Sequence, residues 1–168
     1  LNAVVASKVP AADYAAVADS VWIDLSKGLG CPVGAVMAGS TAFIEDAWIW
    51  KQRLGGSMRQ SGVLAAAGLY ALDNNVERLA DDHANARRFA ELATEIPGIA
   101  VDAASVETNI VFLDVSAVGI SAPEISERLA ARSVRIGAMG PDSIRAVTHL
   151  DVDRAGVEKA AEALRAVL

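Results

Sequence analysis

Three basic residues stand where solubility alone would not explain them. Lys27 lies in DLSKGLGCPVGAV, Asp24 to Val36, between the end of an alternating apolar run and the glycines at 28, 30 and 34. Such glycines permit tight turns and let a planar ligand approach the backbone. An amine shielded from water in that setting is a nucleophile, and its natural reaction is an imine with an aldehyde. The alternative is that Lys27 simply begins an exposed turn. Arg59, in GGSMRQ, falls at a predicted helix start, where the helix N-terminus favours anions; the alternative is an arginine that solvates the first turn. Arg145, in SIRAVT, sits inside a predicted strand between apolar neighbours and needs a partner. Its planar fork suits a carboxylate, with an edge-strand salt bridge as the simpler reading.

Other reactive side chains read as structural. His83 falls between Leu79 and Ala86 on an apolar helical stripe, the position of a core histidine at a domain junction and not of a general base. His149, in VTHLD, reads as a turn residue or one that supports a neighbour of Arg145. Cys31 reads as a small buried residue, and Trp48 and Trp50 as packing or interface residues. No metal ligands are expected.

The elements that must position these residues follow from periodicity and punctuation. Val21 to Leu25 alternates as a strand ending just before Lys27, which in a parallel α/β sheet is where chemistry is expected. Val33 to Ala38 reads as a second short strand, and Thr41 as the cap of a helix to Leu54, stopped by Gly55 and Gly56. Ser57 to Asn74 reads as a long alanine-rich interior helix, and Val76 to Glu95 as an amphipathic one ended by IPG. Beyond Gly98 the pattern becomes a separate α/β unit. Its predicted strands are Ile99 to Val101, Asn109 to Val115, Val134 to Ala138 and Ser143 to Thr148. A helix spans Ser121 to Arg132, with Ser121 as cap, Pro123 in the first turn and Glu124 three after the cap. A final helix runs from about Asp153 to Leu168. The domain boundary is placed near Gly98, giving 1–98 and 99–168.

Composition narrows the function. A net charge of −6 over 168 residues leaves no basic stripe for a phosphate backbone, so nucleic acid is disfavoured as a partner. No apolar run reaches the ~18 residues of a membrane span. One cysteine excludes an internal disulfide and suits a reducing, cytoplasmic compartment. Hydrophobic residues make up 53% of the chain, more than a free-standing globule of this size needs, so part of that surface is expected to meet another segment or chain. LNAVVAS opens in helical pattern without a cap or an initiator methionine, as the middle of a longer protein would.

Taken together and in order, DSVWIDLSKGLGCPVGAVMAGS, LGGSMRQSGVLAAAGLYAL, RLADDHANARR and IRAVTHLDV strongly resemble threonine aldolases of the β-eliminating lyase family, pyridoxal-phosphate enzymes of the aspartate-aminotransferase fold. The resemblance runs along most of the chain. It implies an α/β protein comprising the C-terminal part of a fold-type I large domain and a small C-terminal α/β domain. It implies that Lys27 holds pyridoxal 5'-phosphate covalently, that Arg59 binds its phosphate, and that Arg145 binds the α-carboxylate of an amino-acid substrate. Where family members carry a basic pair before the glycines, this chain reads WKQRLGG, with Gln52 between Lys51 and Arg53.

The implied reaction is reversible cleavage of threonine and related β-hydroxy-α-amino acids to glycine and an aldehyde. The resemblance also implies an N-terminal half that supplies an aspartate for the pyridinium nitrogen, a stacking aromatic and the proton-abstracting base, and a homo-oligomer built as a dimer of dimers. Another fold-type I lyase or transferase is the runner-up. A non-catalytic fragment that pairs with an N-terminal partner chain is the reading from a different class.

Overall fold

The computed structural model describes residues 1–168, which form two compact units, Leu1–Arg78 and Leu79–Leu168. The boundary read near Gly98 falls after a helix whose packing is with the second unit. No helix is long and apolar enough to cross a membrane.

The first unit begins with two short helices, α1 (Asn2–Ser7) and α2 (Ala11–Ala15), and a pair of strands, β1 (Ser20–Asp24) and β2 (Ala35–Gly39). The strands run antiparallel, in register from Ser20 opposite Gly39 to Asp24 opposite Ala35. The parallel arrangement expected from the sequence therefore does not occur within this pair. The physical reason is length: a parallel crossover needs about a dozen residues or more, usually a helix, whereas residues 25–34 only turn back. Leu25 N–H donates to Gly34 C=O at 3.0 Å and closes that turn.

Helix α3 (Thr41–Arg53) follows, capped by Ser40, whose hydroxyl accepts from Phe43 N–H at 3.2 Å, one residue earlier than the cap read from sequence. Helix α4 (Gly62–Asn74) begins later than the predicted Ser57, because Gln60 adopts a left-handed φ of 55° that a helix cannot contain. The interior position expected for this helix is not found within the chain. Only Gly68 and Ala71 are buried, while Val63, Leu69 and Tyr70 are exposed. Both faces of the β1–β2 ribbon and much of α3 also present apolar side chains, Trp22, Met37, Trp48 and Trp50 among them.

The second unit holds its own core. Helix α5 (Leu79–Thr94) leads through an isolated bridge at Ala100 and a short 3-10 turn to β3 (Ile110–Asp114), α6 (Ala122–Ala130), β4 (Gly137–Ala138), β5 (Ser143–Val147) and α7 (Arg154–Val167). The sheet is antiparallel throughout, in the order β3-β5-β4. Period-two alternation divides β3 and β5 cleanly. Val111, Leu113, Ile144 and Ala146 join Phe89, Ile125, Leu129 and Leu164 of the helices in one cluster, and Ile110, Phe112, Arg145 and Val147 face outward.

The predicted strand at 99–101 is reduced to the pairing of Ala100 with Asp114, because Asp102 turns the chain by accepting from Ala104 N–H at 3.0 Å. The strand predicted over Val134 to Ala138 pairs only at its last two residues, after Ser133 takes a left-handed φ of 62°. Helix α6 starts as its sequence requires, with Ser121 accepting from Glu124 N–H at 3.4 Å.

His83 is only 3% exposed on α5. Burial holds its pKa below the ordinary 6.5, and Arg87 acts in the same direction against Asp82. A histidine kept neutral by the fold withdraws stability as it is forced to charge. The contribution is intact above about pH 6.5 and is lost as pH falls from there through the lowered folded value. Urea midpoints at about pH 7.5 and pH 5.5 should show this loss, and His83→Gln should reduce it. An equal pH response in the variant would assign the dependence to other groups.

Candidate active site

Lys27 projects from the turn that immediately follows β1. Leu25, Leu29 and Cys31 are buried and anchor this turn, while the Lys27 side chain is 80% exposed. Gly30, at φ 77°, accepts the left-handed geometry that closes the turn, its N–H donating to Ser26 C=O at 3.2 Å and Lys27 C=O at 3.0 Å. Gly34, at φ 127°, supplies the second conformation closed to other residues. The sequence thus alternates anchors with bare backbone, so the lysine stands out from a fixed loop. The shielding from water expected for this amine is not provided by the chain's own side chains.

Asp24 faces the lysine. Its Oδ1 accepts from the Ser26 hydroxyl at 2.8 Å and the Ser26 amide at 3.3 Å, and its Oδ2 accepts from Lys27 Nζ. The sequence reading did not single out Asp24 as a partner of the lysine. The signal was the Asp-x-Ser spacing, in which a carboxylate bonds the backbone two residues on.

The loop is fastened to α4 from one side. Gly68 approaches closely enough that a Cβ there would lie 3.1 Å from Leu25 Cδ1, and Cys31 Sγ–H donates to Ala67 C=O at 3.4 Å. Beyond the end of α4, Asn75 Nδ2 donates to Leu29 C=O at 2.8 Å and Arg78 Nη1 to Gly28 C=O at 3.4 Å. Cys31 is thus buried as read. Asn75→Ala removes one neutral hydrogen bond, about 0.5 to 1.5 kcal/mol of local stability. Amide exchange of residues 26–34 should therefore quicken by roughly two- to twelvefold, while α7 is unaffected. Unchanged exchange would show that Leu25, Leu29 and Cys31 hold the loop unaided.

Arg59 occupies the turn just ahead of α4, next to the left-handed Gln60. It is exposed and makes no ion pair or hydrogen bond. The same helix therefore positions both groups, carrying Arg59 before its first turn and bracing the lysine loop with its middle and end. Lys51 and Arg53, the cations nearest the missing basic pair, lie over Trp48 and Trp50, at 4.9 Å and 5.2 Å from the ring centroids.

Arg145 belongs to the second unit. It is at the middle of β5, the central strand, paired in register with Phe112 on one side and Gly137 on the other. Its guanidinium is exposed on the outward face, without an acidic partner, beside Phe112, Ile110 and Val147. A salt bridge on an edge strand is thereby ruled out for this chain. Phe112, which the sequence reading did not single out, is 57% exposed directly across from it. His149 lies in the following turn, where its Nδ1 accepts from Asp151 N–H at 3.3 Å, a local turn contact. No group of His, Cys, Asp or Glu is arranged to hold a metal ion.

The profile of the family described as Beta-eliminating lyase matches residues 1–116. The chain is 43% identical over 167 residues to the low specificity L-threonine aldolase of Escherichia coli K12, covering 99% of this chain and 48% of that protein. It is 40% identical over 157 residues to low-specificity L-threonine aldolase 1 of Arabidopsis thaliana, covering 93% and 44% respectively. The chain spans about half the length of the curated relatives it matches. Among solved structures it resembles a Listeria monocytogenes protein with the provisional name of L-allo-threonine aldolase, at a TM-score of 0.77 and 21% identity, over 99% of this chain and 49% of that one.

Proposed function

We propose, since the chain belongs to the β-eliminating lyase family, that it is part of a pyridoxal-phosphate-dependent aldolase. The enzyme cleaves threonine and related β-hydroxy-α-amino acids reversibly to glycine and an aldehyde. The fold is the aspartate-aminotransferase-like α/β architecture of fold type I, seen in the structural likeness. The observation that carries the functional reading is the presentation of Lys27, an exposed primary amine just after β1 on a turn anchored by the buried Leu25, Leu29 and Cys31.

The donor set fits the cofactor. A primary amine suits its aldehyde, and the unpaired Arg59 ahead of α4 suits its phosphate, where helix N–H groups add to the attraction. Bound there, pyridoxal phosphate supplies the electron sink for cleavage of the Cα–Cβ bond. Lys27 holds the cofactor through its amine. Arg145 takes the substrate α-carboxylate through two parallel N–H bonds, with the flanking Phe112 and Val147 as an apolar border. In the whole enzyme we assign residues 1–98 to the end of the large domain and 99–168 to the small domain. Its setting is cytoplasmic, in keeping with a single free thiol.

The remaining groups come from a further segment. Both outer edges of the β1–β2 ribbon are unpaired, and its faces carry exposed Trp22, Val36 and Met37. A free ribbon of this kind is marginal in water and invites strands at both edges. We assign those edges to the N-terminal half, and the assembled enzyme to a homo-oligomer. Residues 1–168 alone are expected to release no glycine or acetaldehyde from threonine with excess cofactor, and activity is expected once the N-terminal half is added. Turnover by residues 1–168 alone would refute this division of the site. For the complete enzyme, ammonia and a keto acid in place of glycine and acetaldehyde would reassign the reaction to a β-eliminating lyase.

A further inference from the structure

We propose that Asp24 is a positioning residue for Lys27, holding its ammonium group whenever the amine is not bonded to an aldehyde. The proposal rests on the reading of Lys27 as the cofactor lysine. Its geometry is specific to this loop. Asp24 ends β1, where pairing with Ala35 fixes its backbone. Oδ1 is committed twice, to the hydroxyl and the amide of Ser26, so the carboxylate cannot rotate freely. That leaves Oδ2 directed at Lys27 Nζ. The lysine is otherwise exposed and would sample many rotamers. Asp24 gives it one resting place, against the carboxylate at the end of β1.

The chemistry sets two states in competition. Condensation forms a C=N bond between Nζ and the aldehyde carbon and expels the carbonyl oxygen as water. The amine must enter with its lone pair free, so the ammonium proton passes to solvent and the contact with Asp24 is given up. Asp24 therefore slows capture of an aldehyde from solution. It also recaptures the amine each time a substrate amine displaces it, keeping Lys27 near the site for return.

The test uses the full-length protein freed of cofactor, with pyridoxal as probe. Pyridoxal lacks the phosphate, so salt does not act through Arg59. Attachment is trapped with borohydride at intervals, and the Lys27 peptide is quantified by mass spectrometry. Asp24→Asn keeps an acceptor for Ser26 but removes the charge. It should attach pyridoxal about three- to fivefold faster at low salt, the scale of an exposed but oriented ion pair. Added salt should accelerate the wild type toward the variant's rate and leave the variant unchanged. Ser26→Ala, which removes the hydroxyl bond to Oδ1 but keeps the amide bond and the charge, should shift the rate the same way by less. Equal rates and equal salt responses in folded wild type and Asp24→Asn would overturn the proposal while leaving Lys27 as the cofactor lysine. If neither pyridoxal nor pyridoxal phosphate labels Lys27 in the wild type, the cofactor reading itself falls.

Discussion

Replacing Lys27 with alanine in the complete enzyme is expected to abolish covalent cofactor attachment and with it the visible absorbance of the lysine-bound cofactor. Borohydride reduction of the wild type should mark Lys27 alone. The other three lysines are unsuited for separate reasons. Lys8 closes α1 in a left-handed conformation, Lys51 lies over Trp48 on α3, and Lys159 is on α7 of the second unit. Only Lys27 stands at a strand end on a loop braced by Leu25, Leu29, Cys31 and Asn75. Loss of a covalent nucleophile is not graded, since alanine offers no amine to the cofactor, so activity should fall by orders of magnitude. A reduced label confined to Lys8, Lys51 or Lys159 would overturn the assignment.

The second large effect is expected at Arg145. Arg145→Lys keeps the charge but replaces a planar fork with a single ammonium, so one of two parallel bonds to the substrate carboxylate is lost. A hydrogen bond to a charged group contributes about 1.5 to 3 kcal/mol, which corresponds to a roughly ten- to hundredfold weaker substrate affinity. Cofactor affinity should hold, because Arg59 and Lys27 are untouched. Ladders on both sides of β5 hold the backbone, so the substitution should not disturb the fold. Spectroscopic titration with amino acid separates the two affinities. Unchanged substrate affinity in a folded variant would reduce Arg145 to an ornament of the sheet face.

Most elements were readable because their signals are local. Alternation in IVFLD and SIRAV, the Ser121 cap and the stripe on α7 depend only on nearby residues, and all appear in the structure. Lys27 and Arg59 stand out in the sequence by type and punctuation, and their roles remain those proposed above. What was not readable depends on partners distant in sequence. The antiparallel pairing of β1 with β2 required knowing that residues 25–34 close on themselves, and the bracing of the lysine loop by Asn75 joins groups separated by 46 residues. The interior character assigned to α4 came from its alanines, which record the packing of a helix but not which polypeptide supplies the neighbour. Asp24 was passed over because alternation explained it as the outward residue of a strand, and one residue can satisfy two rules.

The outward and inward faces of β3 and β5 carry different obligations. The residues that hold the second unit together, Val111, Leu113, Ile144 and Ala146, all lie on one side, and those around Arg145 lie on the other. Mutation at Ile110, Phe112 or Val147 therefore reshapes the surroundings of the guanidinium without opening a void in the core. If Arg145 holds the carboxylate as proposed, change at these three positions would act on the strength of that grip and leave the packing of the core residues on the opposite face untouched, so one sheet would separate selection on binding from selection on core packing.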